Sequence, residues 1–376
     1  MKKKLLIVLP SLTNGGAEHQ TVKIINYLKD EYDISLLVFS NNLNLLSNVK
    51  LHTLNVFILK NSVNTFSFRN IFSRNFLKLI SEIKNIMILN QFDIVLSNLP
   101  ISHTVMRLVR FKIRFKLINI HHSLQFQAHR PHFIMKVFMR LNTYLANKYD
   151  NMNIFISEAS RKDQLTLLKV PLEETIVINN GVTIVDKENI ENIELDSDYF
   201  NIVMAARFVP EKNHSLVIDC LLDILDTNII NNIKIYFLGN GPLENKMIDR
   251  IKDSIYKDNF IFKGTVNHES VLGYFKSSDL VVIPSKSEGF GNIAVEAGLM
   301  GARILSSNAG GLNEIIKHEK NGFKFESENK EELKKELNEI INLNKEIDRE
   351  KVVKIMEDNY SFKKMIEKYI EVIENV

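Results

Sequence analysis

Short apolar runs alternate with amphipathic segments along almost the whole chain, and that alternation restricts the fold more than any other feature. KLLIVLP, DISLLVF, FDIVLSN, KLINIHH and NIFISE are each long enough for a strand buried on both faces and too short for a longer element. Between them lie segments such as HQTVKIINYLKD, whose apolar residues recur at helical spacing. Strand and helix in strict alternation predict βα units around a parallel sheet. The pattern stops over TIVDKENIENIELDSDY, residues 183–199, which is acidic and aperiodic. It resumes with FNIVMAAR, IKIYFLG, NFIFKG, DLVVIPS and ARILSS. A chain of 376 residues exceeds the size at which one core keeps growing, so two doubly wound α/β domains facing across a cleft are expected. Their predicted bounds are 1–185 and 200–357, with 186–199 as the linker. Ligands of such sheets bind at the carboxyl ends of the strands.

Composition narrows the setting. The start, MKKKLLIVLPS, imitates a secretory signal, but its apolar run is short and no small-residue cleavage site follows, so it is expected to be the first strand. No run of about 18 apolar residues suggests a spanning helix. Cys220 is the only cysteine, which excludes an intrachain disulfide and a cysteine-rich metal site. A cytoplasmic location is the expectation. The net charge of +3 hides a division: residues 1–190 carry 24 Lys+Arg against 13 Asp+Glu, or +11, leaving 24 against 32, or −8, for the remainder. RLVRFKIRFK, Arg107 to Lys116, has five cations and no acid, and residues 67–80 and 129–140 also mix cations with large apolar side chains. Such segments suit an anionic membrane surface. They equally suit a solvated basic face with its apolar residues turned inward. Nucleic acid is not expected, because the cations alternate with aliphatics and no RNA-binding motif is present.

The motifs that carry chemistry all fall at predicted strand ends. TNGGAEHQ places Gly15 and Gly16 before a helix, where free N–H groups could receive a phosphate, although a Gly-Gly turn alone also serves as a simple tight turn. It is not a dinucleotide fingerprint, since G-x-G-x-x-G is absent. In MAARFVPEKNH, Arg207 and Lys212 are placed to neutralise a pyrophosphate, the alternative for Lys212 being a surface pair with Glu211. LGNGPLE brings Gly239 and Gly241 to a turn a flat ligand can approach, and FKGTV exposes main-chain groups at Thr265 and Val266 for a base edge. SEGFGNIAVE sets Glu288 eight positions before Glu296; a fully helical path would separate their backbones by about 12 Å. Hydrolytic carboxylate pairs lie closer, at about 5–9.5 Å. A long ligand with hydroxyls at both ends and phosphates between fits better, and a nucleotide sugar has that layout.

SEGFGNIAVEA is similar to the E-x7-E motif of the family 4 retaining glycosyltransferases of the GT-B fold. ARFVPEKNH, LGNGPLE, FKGTV and AGGLNEIIKHEKNGF resemble that family's other motifs in order and spacing. The resemblance is strongest over residues 200–325. It implies that Arg207 and Lys212 hold the donor diphosphate and that Glu296 binds the ribose. Glu288 would lie by the donor sugar, with the amides of Gly289, Phe290, Gly291 and Asn292 beside sugar and phosphate. Gly16 would let its loop reach the phosphates, His121 would contact the donor sugar, and segment 358–376 would return to the first domain. Arg303 and Asn308 depart from the proline and aspartate frequent in the family, at positions expected beside the site.

The activity so implied is transfer of a hexose or N-acetylhexosamine from a nucleotide diphosphate donor, UDP-linked by expectation. Retention at the anomeric carbon is implied, with neither metal nor cofactor. Partners would be the nucleotide sugar, a glycan or lipid-linked acceptor and an anionic membrane surface, which the protein would meet peripherally. A nucleotide-sugar epimerase or a phosphorylase of the same architecture, or a nucleic-acid-binding protein, are the alternatives.

Overall fold

A computed structural model describes residues 2–13, 15–49, 55–59, 74–122, 124, 133–166, 168–184, 187–227, 232–343 and 345–376. It divides into two compact units, Met1–Asn180 with Met365–Val376, and Gly181–Lys364.

Among the described residues, the first unit is built on seven parallel strands. These are β1 (Lys4–Leu9), β2 (Asp33–Val38), β3 (Asn55–Ile58), β4 (Ile94–Asn98), β5 (Lys116–His121), β6 (Met152–Phe155) and β7 (Thr175–Val177), in the order β3-β2-β1-β4-β5-β6-β7. Helices α1 (Gly16–Leu28), α2 (Arg74–Asn90), α3 (Pro100–Arg110), α4 (Phe133–Tyr149) and α5 (Glu158–Leu165) make the crossovers. Because helices cover the sheet, inner strands are buried continuously rather than alternately: β1 is buried from Leu5 to Leu9. The order reverses between β1 and β4, and at such a switch point the strand ends part to leave room for a ligand. One core joins Leu6, Val8, Leu37, Val95 and Leu117 of the sheet to Leu79 and Ile83 of α2 and Val105 and Met106 of α3.

The second unit repeats the plan with six parallel strands among the described residues. They are β8 (Phe200–Ala205), β9 (Ile233–Leu238), β10 (Phe260–Gly264), β11 (Leu280–Ile283), β12 (Ile304–Ser307) and β13 (Phe323–Phe325), ordered β10-β9-β8-β11-β12-β13. Here the switch lies between β8 and β11. Helices α6 (His214–Leu225), α7 (Glu244–Ile251), α8 (His268–Ser277), α9 (Asn292–Leu299), α10 (Leu312–Ile315), α11 (Lys330–Asn342) and α12 (Arg349–Tyr360) complete it. Side chains mark several starts: Asn267 accepts from the Ser270 amide at 2.7 Å, Asn329 from Glu332 at 3.1 Å and Asp348 from Lys351 at 3.1 Å. The acidic stretch 187–199 packs on this unit. Ile190 is buried, its carbonyl accepts from Lys276 Nζ at 2.7 Å, and the Ile193 amide donates to Ser277 Oγ at 2.9 Å.

The last helix, α13 (Phe362–Asn375), begins in the second unit and ends in the first, where Ile366, Tyr369 and Ile373 are buried. Tyr32 Oη donates to Glu374 at 2.7 Å and Lys3 pairs with the same carboxylate at 2.6 Å.

The basic strip from Arg107 to Lys116 is corrected in one respect. Arg107 is wholly buried: its Nε and Nη2 donate to Asp150 at 2.8 and 2.6 Å and its Nη1 to Asn142 at 2.7 Å. It bolts α3 to the end of α4, so four cations of that strip remain for other work. Of the other basic, apolar-rich stretches, residues 67–73 and 129–132 lie outside the described residues.

Candidate functional site

In the second unit the loops beyond five strand ends are stitched together by main-chain hydrogen bonds. Phe208 N donates to Asn240 O at 2.9 Å and Gly239 N to Gly264 O at 2.7 Å, joining the loops after β8, β9 and β10. Lys286 N donates to Glu211 O at 2.8 Å and Gly311 N to Glu288 O at 2.9 Å, joining those after β8, β11 and β12. Each bond pairs loop backbone groups that lie outside the strand ladders. The result is a fixed rim of backbone carrying most of the expected site residues.

Glu288 stands at the centre of that rim. Lys212 Nζ meets Glu288 Oε2 at 2.5 Å, both side chains being mostly covered, so the partner of Lys212 is Glu288 and not its neighbour Glu211. Ser285 Oγ supports the same carboxylate oxygen at 3.4 Å. The structure thereby joins a residue expected at phosphate to one expected at sugar. Arg207 follows β8, is exposed, and among the described residues its side chain has neither ion pair nor hydrogen bond. A free fork and a paired ammonium together form the cationic side of the site.

The glycine-rich turn before α9 is shaped by two close approaches. Gly291 takes φ +111°, a left-handed value, and a Cβ there would come within 2.7 Å of Leu312 Cδ2. A Cβ on Gly311 would meet the Phe290 carbonyl oxygen at 2.4 Å and the Gly289 oxygen at 2.8 Å, so the Gly-Gly loop after β12 packs directly on the turn. Phe290 turns inward, buried and edge-on to Tyr360 at 5.7 Å, with its backbone packed under Gly311. Gly311→Ala should therefore cost more than the ordinary fraction of a kcal/mol, because backbone must move; we expect at least about 1 kcal/mol lost. A denaturation midpoint equal to wild type would show that the loop yields without strain.

Glu296, on the first turns of α9 and mostly covered, pairs with His268 Nε2 at 3.2 Å. His268 opens α8 two residues after half-buried Val266, so the structure brings the expected ribose carboxylate to the expected base-edge segment. Sequence reasoning missed His268; the signal was the cap pattern of NHES directly after Val266. Gly239 takes φ +128° with its backbone against Ala206. Asn308 lies just past β12, its Oδ1 accepting from the Ser327 amide at 3.0 Å. Arg303, expected beside the site, instead precedes β12 at the opposite, amino end of the sheet, half-buried.

Gly15, Gly16 and His121 belong to the first unit. Among the described residues, and apart from its chain neighbours and its own helix backbone, no atom comes within 4 Å of a Cβ placed on Gly16, the first residue of α1. Gly15 is different: Glu18 folds back so that its Oε2 lies 2.2 Å from a Cβ placed there, while its Oε1 accepts from Thr13 Oγ1 at 2.8 Å. A carboxylate from the first turn thus already attends the amino end of α1, and sequence reasoning passed over it. His121 ends β5 buried, stacked on Phe155 at 4.5 Å, its Nε2 3.0 Å from Asn153 Oδ1. Desolvation pushes its pKa down to about 3, outweighing the opposing Asn153 bond, so the ring is neutral and Nε2–H donates to the amide oxygen. His103, packed 4.6 Å away and hydrogen-bonded to the Ser97 and Ile120 carbonyls, is held neutral for the same reason.

Two family models together match residues 14–358: Glycosyltransferase Family 4 over residues 14–185 and Glycosyl transferases group 1 over 185–358. The chain is similar to an uncharacterized glycosyltransferase of Methanocaldococcus jannaschii, 29% identical over 189 residues, 48% of each chain. A second such protein of that organism is matched over 44% of its length, so the chain spans about half of these curated relatives. It is also similar to a capsular polysaccharide biosynthesis glycosyltransferase of Staphylococcus aureus, 23% identical over 81% of each chain. Among solved structures, Anabaena HepE in complex with UDP superposes over the whole of both chains with a TM-score of 0.81 at 20% identity, which shows a shared fold.

Proposed function

Because the chain belongs to the group 1, family 4 glycosyltransferases, we propose that it moves a hexose or N-acetylhexosamine from a UDP-linked donor to a glycan or lipid-linked acceptor in surface-polysaccharide synthesis. The observation that carries this reading is the Lys212–Glu288 pair at the mouth of the glycine-rich turn. An ammonium and a carboxylate one hydrogen bond apart suit the junction of a sugar phosphate, where hydroxyls and phosphate oxygens are neighbours. Glu296 beside His268 and the Val266 segment suits the nucleoside end. Anabaena HepE was solved with UDP, with UDP and glucose, and with UDP-glucose, which supports UDP as carrier by analogy of fold.

In the transfer, the bond between the anomeric carbon and the phosphate oxygen breaks while the acceptor oxygen bonds to that carbon. With retention, both events share one face, and the acceptor's proton passes to the leaving phosphate oxygen. Negative charge grows on the diphosphate, and Arg207, Lys212 and the amides before α9 meet it without reorganising. These groups supply the charge stabilisation without a metal. His121, buried and neutral, contributes no charge and is assigned a positioning role only.

The two glutamates separate the donor's ends, so they give the test. Glu296→Ala should weaken binding of UDP alone, whereas Glu288→Ala should spare UDP binding and damage transfer. Calorimetry with UDP, followed by release of UDP from a panel of UDP-sugars, measures both. Equal loss of UDP affinity in the two variants would refute the two-ended assignment.

A further inference from the structure

The amino-terminal edge of the first sheet carries a groove of about 1220 Å3 that the proposed transfer does not use. Strands β1, β4 and β5 begin there and α3 ends there, so the groove lies at the opposite edge from Gly16 and His121. Six residues of β5 at about 3.3 Å each put roughly 20 Å between the two edges.

Its charge is one-sided. Lys2, Lys3 and Lys4 line one wall; Arg110, Lys112, Arg114 and Lys116 line the other. Asp93, the single acidic side chain among the described lining residues, already accepts from the Lys4 amide at 2.8 Å. Glu374 offsets one cation by pairing with Lys3. The remaining surplus is held close together, with Lys112, Arg114 and Lys116 exposed.

Phe92, Ile94, Phe115 and Ile373 of the groove lining are buried, but two large apolar side chains at this edge stay outward. Phe111 is 61% exposed with Lys112 Nζ 5.2 Å over its ring, and Leu89, at the end of α2, is 82% exposed. The end of α2 belongs to the same edge, since Asn90 O accepts from Lys4 Nζ at 3.0 Å. A solvated basic face would turn such residues inward, and a soluble polyanion would gain from the cations alone. Exposed Phe and Leu interleaved with cations gain from a phase that takes phosphate groups at one depth and apolar groups just below.

We propose that this edge is the docking surface for an anionic phospholipid bilayer. Headgroup phosphates lie along the cationic walls, and Phe111 and Leu89 enter the boundary beneath them. The site is separate from the donor-binding residues, so its loss and the loss of transfer can be told apart.

The full-length protein would be sedimented with phosphatidylcholine vesicles with and without phosphatidylglycerol, at low and raised salt. Binding is expected only with phosphatidylglycerol, weakening with salt. A variant with Lys2, Lys112, Arg114 and Lys116 all changed to glutamine should bind at least about a hundredfold more weakly. Phe111→Ser with Leu89→Ser should lower vesicle binding and leave binding of free polyphosphate unchanged. UDP affinity and circular dichroism should match wild type in both variants. No sedimentation of wild type at low salt, or equal sedimentation of the four-glutamine variant, overturns the proposal. Vesicle binding indifferent to the Phe111 and Leu89 changes, with tight polyphosphate binding, would make the groove a site for a soluble polyanion and overturn it too.

Discussion

Arg207→Ala should reduce turnover of a UDP-sugar by roughly a hundredfold to a thousandfold, about 2.7–4 kcal/mol, if the guanidinium acts like a preorganised donor to charge that grows in the transition state. The structure predicts no matching loss of stability, since Arg207 is exposed and its side chain has no partner among the described residues. Lys212→Ala should cost a similar factor by another route, because it removes a cation and also releases Glu288 from its 2.5 Å pair. The two residues of that pair form one unit, so the double variant Lys212→Ala/Glu288→Ala should be less impaired than the product of the single losses. Steady-state release of UDP, with denaturant midpoints as a control on folding, measures this. Turnover within a few-fold of wild type in both single variants would remove the phosphate role from these cations.

How much of this was legible in the sequence depends on what kind of signal each part leaves. The inner strands of both sheets were legible because full burial writes an unbroken apolar run. β3, β7 and β13 were not, being three or four residues long and, in β3 and β7, only partly covered. Glu288 and Glu296 were legible as a spacing, but their partners were not: Lys212 lies 76 positions from Glu288 and His268 lies 28 from Glu296. Pairings of that kind are decided by which loops the sheet order brings together, and β8 meets β11 only because the winding reverses there. Glu18 was overlooked for the opposite reason. It is local, three residues from Gly15, but whether such an acid points outward or back over its own helix start is a rotamer choice that composition does not record.

Arg107 is where sequence logic failed most instructively, and it gives the second large expected effect. In RLVRFKIRFK every cation has an equal claim to the surface, yet α3 turns Arg107 inward, where Asp150 and Asn142 take three of its N–H groups. Replacing it with glutamine leaves the Asp150 carboxylate buried without its counter-charge, and such a loss costs about 3–5 kcal/mol. That is a large share of the stability of an ordinary domain, about 5–15 kcal/mol, so the first unit should unfold at clearly lower denaturant. Because the chain has two compact units, the measurement should follow the first unit by hydrogen exchange at α3 and α4 rather than by one global transition. The double change Arg107→Met/Asp150→Leu removes both charges and should recover most of the loss, since a buried pair is worth little more than well-packed apolar residues. If the single variant keeps wild-type protection, the pair is not structural; if the double variant is as damaged as the single, the cost lies in shape and not in the orphaned charge.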